Sequence, residues 1–122
     1  MVVLIGILSC LAGVGIGVLI YWLITRKEQG DPVIRKMYYD DGGLKASCMY
    51  IGGLKSGVEN LYYPSGQLNA TRNWNEGVLD GDFVVNYPEG QCYITGTYQN
   101  GELQGSYIVY DLDGNIKERK DY

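Results

Sequence analysis

The chain has 122 residues, ten Lys and Arg against fourteen Asp and Glu, a net charge of -4 and no His. Without an imidazole there is no His-based acid–base catalysis, nucleophilic triad or metal site. Every charged side chain lies after residue 25, so the acidic balance belongs to the second part of the chain and argues against a nucleic-acid footprint or a polybasic lipid-binding surface.

Residues 1–25, MVVLIGILSCLAGVGIGVLIYWLIT, carry no charge. About 24 helical residues at ~1.5 Å each reach ~36 Å, against a hydrocarbon core of ~30 Å, so the segment predicts a transmembrane helix in contact with the lipid bilayer. A cleaved signal peptide would want a basic n-region and an Ala-x-Ala-like site, and both are missing. A lipoprotein site at Cys10 would follow Leu8, a poor fit, and the apolar run continues well beyond it. Tyr21 and Trp22 stand where an interfacial aromatic belt belongs, and Arg26 and Lys27 follow. The positive-inside rule then places the rest of the chain on the cytoplasmic side, or its organellar equivalent.

Gly6, Ser9, Gly13 and Gly17 recur at spacings of three and four and line one helix face. Such small residues let two helices approach closely in lipid, although Gly is also simply common in membrane helices. The GVGIGV stretch is no nucleotide loop, because no strand or polar loop surrounds it. Residues 26–33, with Gly30 and Pro32, read as a linker.

From residue 34 to 122 the chain repeats. YIGGLKSG (50–57), WNEGVLDG (74–81) and YQNGELQG (98–105) are spaced by 24 residues, and Tyr122 holds the next aromatic position. Gly42, Gly66, Gly90 and Gly114 keep the same period, as do Leu44, Leu68, Cys92 and Ile116 two places later. Within each unit a Tyr-rich run meets a turn such as Tyr63-Pro64-Ser65-Gly66 and a second run follows. Pro64 suits the second position of a type I turn, and Gly66 can take the left-handed conformation that the reversal needs. Each unit is therefore a β-hairpin.

The runs are rich in Tyr, Val, Ile and Thr and carry no stripe of 3.6 period. Alternation sets Leu44, Ala46, Cys48 and Tyr50, then Leu68, Ala70, Arg72 and Trp74, then Cys92, Ile94, Gly96 and Tyr98 on a mostly apolar face. The opposite set, including Lys45, Ser47, Asn69, Thr71, Asn73, Thr95 and Thr97, reads as solvated. Doubled tyrosines at 38–39 and 62–63 put rings on both faces of the first strands. The expected fold is an all-β repeat array: a single-layer antiparallel meander of about eight strands in four hairpins, preceded by one transmembrane helix. Lys117, Arg119 and Lys120 on the last strand discourage pairing at that edge.

The repeated Tyr/Trp-x-x-Gly-x-x-x-Gly signature with its Tyr-Tyr-x-x-Gly-x-Leu turn resembles MORN repeats, in the bacterial variant found in YwqK family antitoxins. It departs from the eukaryotic pattern, in which Gly-x-Gly usually stands in the second strand. The resemblance implies a hairpin array used as a binding or scaffolding surface, with no particular ligand.

No catalytic residue, metal ligand or cofactor site is expected. Acidic pairs such as Asp40 with Asp41 and Asp80 with Asp82 flank turns and read as turn residues. Cys48 and Cys92 fall on strands about four spacings apart, ~19 Å, too far for a disulfide. The aromatics Tyr50, Tyr63, Trp74, Tyr87 and Tyr98 are the candidate partner surface, with Tyr63, Trp74 and Tyr87 reading first as structural rungs. The expectation is a non-enzymatic, membrane-anchored accessory subunit that packs on an integral membrane protein complex, with no nucleic-acid partner. A membrane-tethered antitoxin is the alternative.

Overall fold

A computed structural model describes residues 30–122, of which Pro32–Tyr122 form one compact unit. The expected membrane helix, its Gly6, Ser9, Gly13 and Gly17 face and the Tyr21, Trp22, Arg26 and Lys27 belt lie outside the described residues. Among the described residues, no helix is long and apolar enough to cross a membrane.

Nine strands follow in order: β1 (Val33–Tyr38), β2 (Leu44–Ile51), β3 (Leu54–Tyr62), β4 (Leu68–Asn75), β5 (Val78–Leu79), β6 (Gly81–Asn86), β7 (Cys92–Gln99), β8 (Glu102–Tyr110) and β9 (Ile116–Asp121). They form one antiparallel sheet in the order β1-β2-β3-β4-β6-β7-β8-β9, with β5 paired to β4. The meander is as the repeat predicts, and the strand count corrects the expected eight. At Asp80 the first strand of the third hairpin breaks in two. The same register shift occurs at Cys48/Tyr50 and Thr95/Thr97, where the partner strands β3 and β8 stay continuous.

Two kinds of turn alternate. In the first, Gly66 N–H donates to the Tyr63 carbonyl (2.9 Å) and Tyr63 N–H to the Gln67 carbonyl (2.8 Å), with Gly66 at φ 90°. This is a type I turn closed by a left-handed residue, the three-residue hairpin solution. It recurs at Tyr39/Gly42, Tyr87/Gly90 and Asp111/Gly114. In the second kind, two successive residues have positive φ: Gly52-Gly53, Glu76-Gly77 and Asn100-Gly101. Those pairs fit the two-residue type I′ hairpin, whose twist matches that of the strands.

The core is one side chain deep. Antiparallel register lines up Met37, Ala46, Leu61, Ala70, Val85, Ile94 and Val109 in one row across the sheet. Small Ala46 and Ala70 alternate with larger Leu61 and Val85, so each gap beside an alanine is filled by its neighbours. Ala46, Ala70 and Val109 are buried there. The face expected to be solvated is mostly half-buried. Its polar groups bond within the sheet: Asn73 Nδ2 donates to the Asp82 carbonyl (2.7 Å) and Thr97 Oγ1 to Asp82 Oδ1 (2.7 Å).

Candidate functional site

The five candidate aromatics separate into two sets by geometry. Tyr50, Trp74 and Tyr98 lie in the second strands, with Trp74 opposite Gly57 and Tyr98 opposite Gly81. A ring facing a glycine across two strands covers backbone that no side chain of the glycine would shield. Tyr63 and Tyr87 stand at the entrance to the type I turns. Their hydroxyls donate to main-chain carbonyls of the next hairpin: Tyr63 to Asn86 (2.7 Å) and Tyr87 to Tyr110 (2.8 Å). Tyr39, seen in sequence only as half of a doubled pair, is the third member, bonding the Tyr62 carbonyl at 2.7 Å.

All three bonds span 23 residues and tie each unit to the one that follows. At the next position of the period stands Asp111, whose Oδ1 instead accepts from the N–H groups of Asp113 (3.0 Å) and Asn115 (2.8 Å). Those bonds hold its carboxyl below the usual aspartate range, against a smaller upward push from burial.

One cluster was not anticipated. Glu59 on β3 is 3% exposed, the most buried of the charged groups described. Its Oε1 lies 2.6 Å from Lys55 Nζ, and its Oε2 accepts from Arg72 Nε (2.9 Å) and from Trp74 Nε1 (2.9 Å). Lys55 and Arg72 also sit over the Trp74 ring, 4.7 and 5.6 Å from its centroid. Burial pushes the Glu59 carboxyl upward, but the hydrogen bonds from Lys55 and Trp74 and the charge of Arg72 outweigh it and hold the group below the usual glutamate range. Glu59 is thus a fixed anion and a poor proton acceptor.

The period could have exposed it. Positions 59, 83 and 107 are equivalent and hold Glu, Phe and Tyr, so a carboxylate occupies an aromatic place. In the next unit Phe83 is buried and packs on Tyr98, with centroids 5.0 Å apart. Gly96, opposite Phe83, makes the room: a Cβ there would lie 2.5 Å from Phe83 Cε1.

Both thiols among the described residues are weakened as nucleophiles. Burial, and for Cys48 also the nearby Glu59 charge, raise the pKa of Cys48 and Cys92, and both cysteines are free. Among the described residues, no group of three His, Cys, Asp or Glu side chains could hold a metal ion.

The family described as MORN repeat variant matches residues 55–76, a stretch that contains Lys55, Glu59, Arg72 and Trp74. No curated protein and no solved structure matches the chain. One 22-residue stretch of the hairpin array is therefore similar to MORN repeats.

Proposed function

We propose that the chain is a non-enzymatic, membrane-anchored binding and assembly protein, a small accessory subunit whose helix packs on a larger membrane protein complex while the hairpin array covers part of that complex on the cytoplasmic side. The observation that carries this reading is a sheet one layer thick on which eleven large apolar or aromatic side chains are exposed, from Val33 and Ile34 at one end to Ile116 and Tyr122 at the other. Exposed apolar groups mark an interaction site where they cluster, as Val33, Ile34, Met37 and Tyr38 do on β1. The ionised, ion-paired Glu59 and the protonated thiols support a binding role over a chemical one. In the expected helix, the Gly6, Ser9, Gly13 and Gly17 face supplies the contact in lipid.

Crosslinking and mass spectrometry of the full chain in native membranes tests the proposal. One stoichiometric integral membrane complex is the expected result. A lone monomer in mild detergent at native abundance would overturn it, and recovery of a soluble toxin-like protein would favour the antitoxin alternative.

A further inference from the structure

The two outer strands of the sheet differ in chemistry. All six residues of β1 are exposed, and four of them, Val33, Ile34, Met37 and Tyr38, are among the eleven large exposed groups. Its charged residues, Arg35 and Lys36, are both cationic. The outer edge of β1 has no partner strand among the described residues. β9 is also wholly exposed but mixes charges of both signs, with Lys117, Glu118, Arg119, Lys120 and Asp121. Pairs there close on themselves, as in Lys120 Nζ to Glu118 Oε1 at 3.0 Å.

The repeat register says what strand β1 would accept. Wherever a second strand pairs with the next first strand, Ala46 meets Leu61, Ser47 meets Asn60 and Cys48 meets Glu59, and the same offset sets Ala70 on Val85 and Ile94 on Val109. Carried forward by one period, this offset would set Glu118 of a second copy against Met37, Arg119 against Lys36 and Lys120 against Arg35. Both charged positions would then face like charge, which disfavours pairing. The backbone would allow copies to add head to tail, and these four cations oppose it.

We infer that the free edge of β1 is a docking site for an extended acidic segment of another protein, which adds as a strand antiparallel to β1 with a small apolar residue opposite Met37 and carboxylates opposite Lys36 and Arg35. The main-chain groups of the edge supply the bonds, and the alternating side chains supply the selectivity. The Arg35 guanidinium lies 4.5 Å from the centroid of the Tyr50 ring on β2, a cation–π contact that orients it. The inference rests on the assembly reading above and names the surface by which a partner is held.

The test uses the full chain in detergent with two synthetic peptides of residues 114–122 that both carry E118A opposite Met37, one otherwise native and one also with R119E and K120E. The acidic peptide should bind about tenfold more tightly than the otherwise native one, since two cross-strand pairs change from like to opposite charge. It should also slow hydrogen exchange at the amides of residues 33–38. The R35E/K36E protein should reverse the preference, a result that loss of folding cannot imitate, and should itself form head-to-tail oligomers that the native chain does not. Equal affinity for the two peptides, protection at β9 instead of β1, or oligomers of the native chain that R35E/K36E disrupts would overturn the inference. If neither peptide binds while the native chain still recovers its membrane complex, the edge inference falls alone; if no complex is recovered either, the assembly reading falls with it.

Discussion

The second and third repeats pair the same positions across their strands, Glu59 with Arg72 and Phe83 with Gly96, and fill them in opposite ways. Positions 55, 59, 72 and 74 hold Lys, Glu, Arg and Trp, while their equivalents 79, 83, 96 and 98 hold Leu, Phe, Gly and Tyr. In the second repeat a buried carboxylate is satisfied by two cations and an indole N–H. In the third a phenyl ring fills the space over a glycine. Both fillings bury the centre of the unit, Glu59 to 3% and Phe83 to 7% exposure. The period therefore fixes which positions meet and leaves the chemistry of the meeting free, provided the four residues agree with each other.

That agreement can be broken. Glu59→Phe alone should destabilise the sheet by about 3 kcal/mol, because Arg72 and Lys55 occupy the room that Gly96 and Leu79 leave and lose their anion. Adding Lys55→Leu and Arg72→Gly should bring stability back to within about 1 kcal/mol of the native chain. Urea unfolding followed by far-ultraviolet circular dichroism would measure both, and equal losses in the single and triple variants would refute the interchange. The reciprocal disturbance, Gly96→Ala, should cost about 2 kcal/mol through collision with Phe83, read as a lower urea midpoint.

Acid sharpens the same contrast. The folded pKa of Glu59 lies below its unfolded value of about 4.3, so its contribution is fully present above that pH and is lost as pH falls through the folded value. The native chain should lose stability in that acid window more steeply than the Lys55→Leu, Glu59→Phe, Arg72→Gly triple variant. Parallel stability profiles for the two proteins would show that Glu59 contributes no such linkage.

Smaller effects probe what the two repeats share. Tyr63→Phe removes one bond between units and should cost about 1 kcal/mol. Glu76, at φ 47° in its type I′ turn, should give way to Asn with a gain of about 0.5 kcal/mol, because Asn tolerates the left-handed region and already stands at Asn100 in the equivalent turn. A rise in thermal midpoint would report that gain, and no rise would mean that the turn carries no strain there.

The repeat, the hairpins and their turns were legible because they are local: Gly66 follows Pro64 by two residues, and the alternation of Ala46 and Cys48 needs only one strand. The break at Asp80 was not legible, since a register shift belongs to two strands at once. Tyr39, Tyr63 and Tyr87 were visible as rings but not as bonds, because their acceptors lie 23 residues away in the next unit. The Glu59 cluster was missed for the same reason. Lys55 and Glu59 are neighbours in sequence, yet nothing joins them to Arg72 and Trp74 until β3 and β4 are paired.

The sequence by itself determined the 24-residue period, the antiparallel meander and the residues that share a face, since turn conformation and side-chain alternation are set over a few adjacent residues. Only the tertiary structure decided that an aromatic position could hold a buried anion, that one tyrosine in each of the first three units would bond to the next, and that β1 would be left, among the described residues, as an exposed cationic edge. Burial, hydrogen-bond partnership and edge exposure are properties of the assembled sheet, created when strands distant in sequence come within ~4.8 Å of each other.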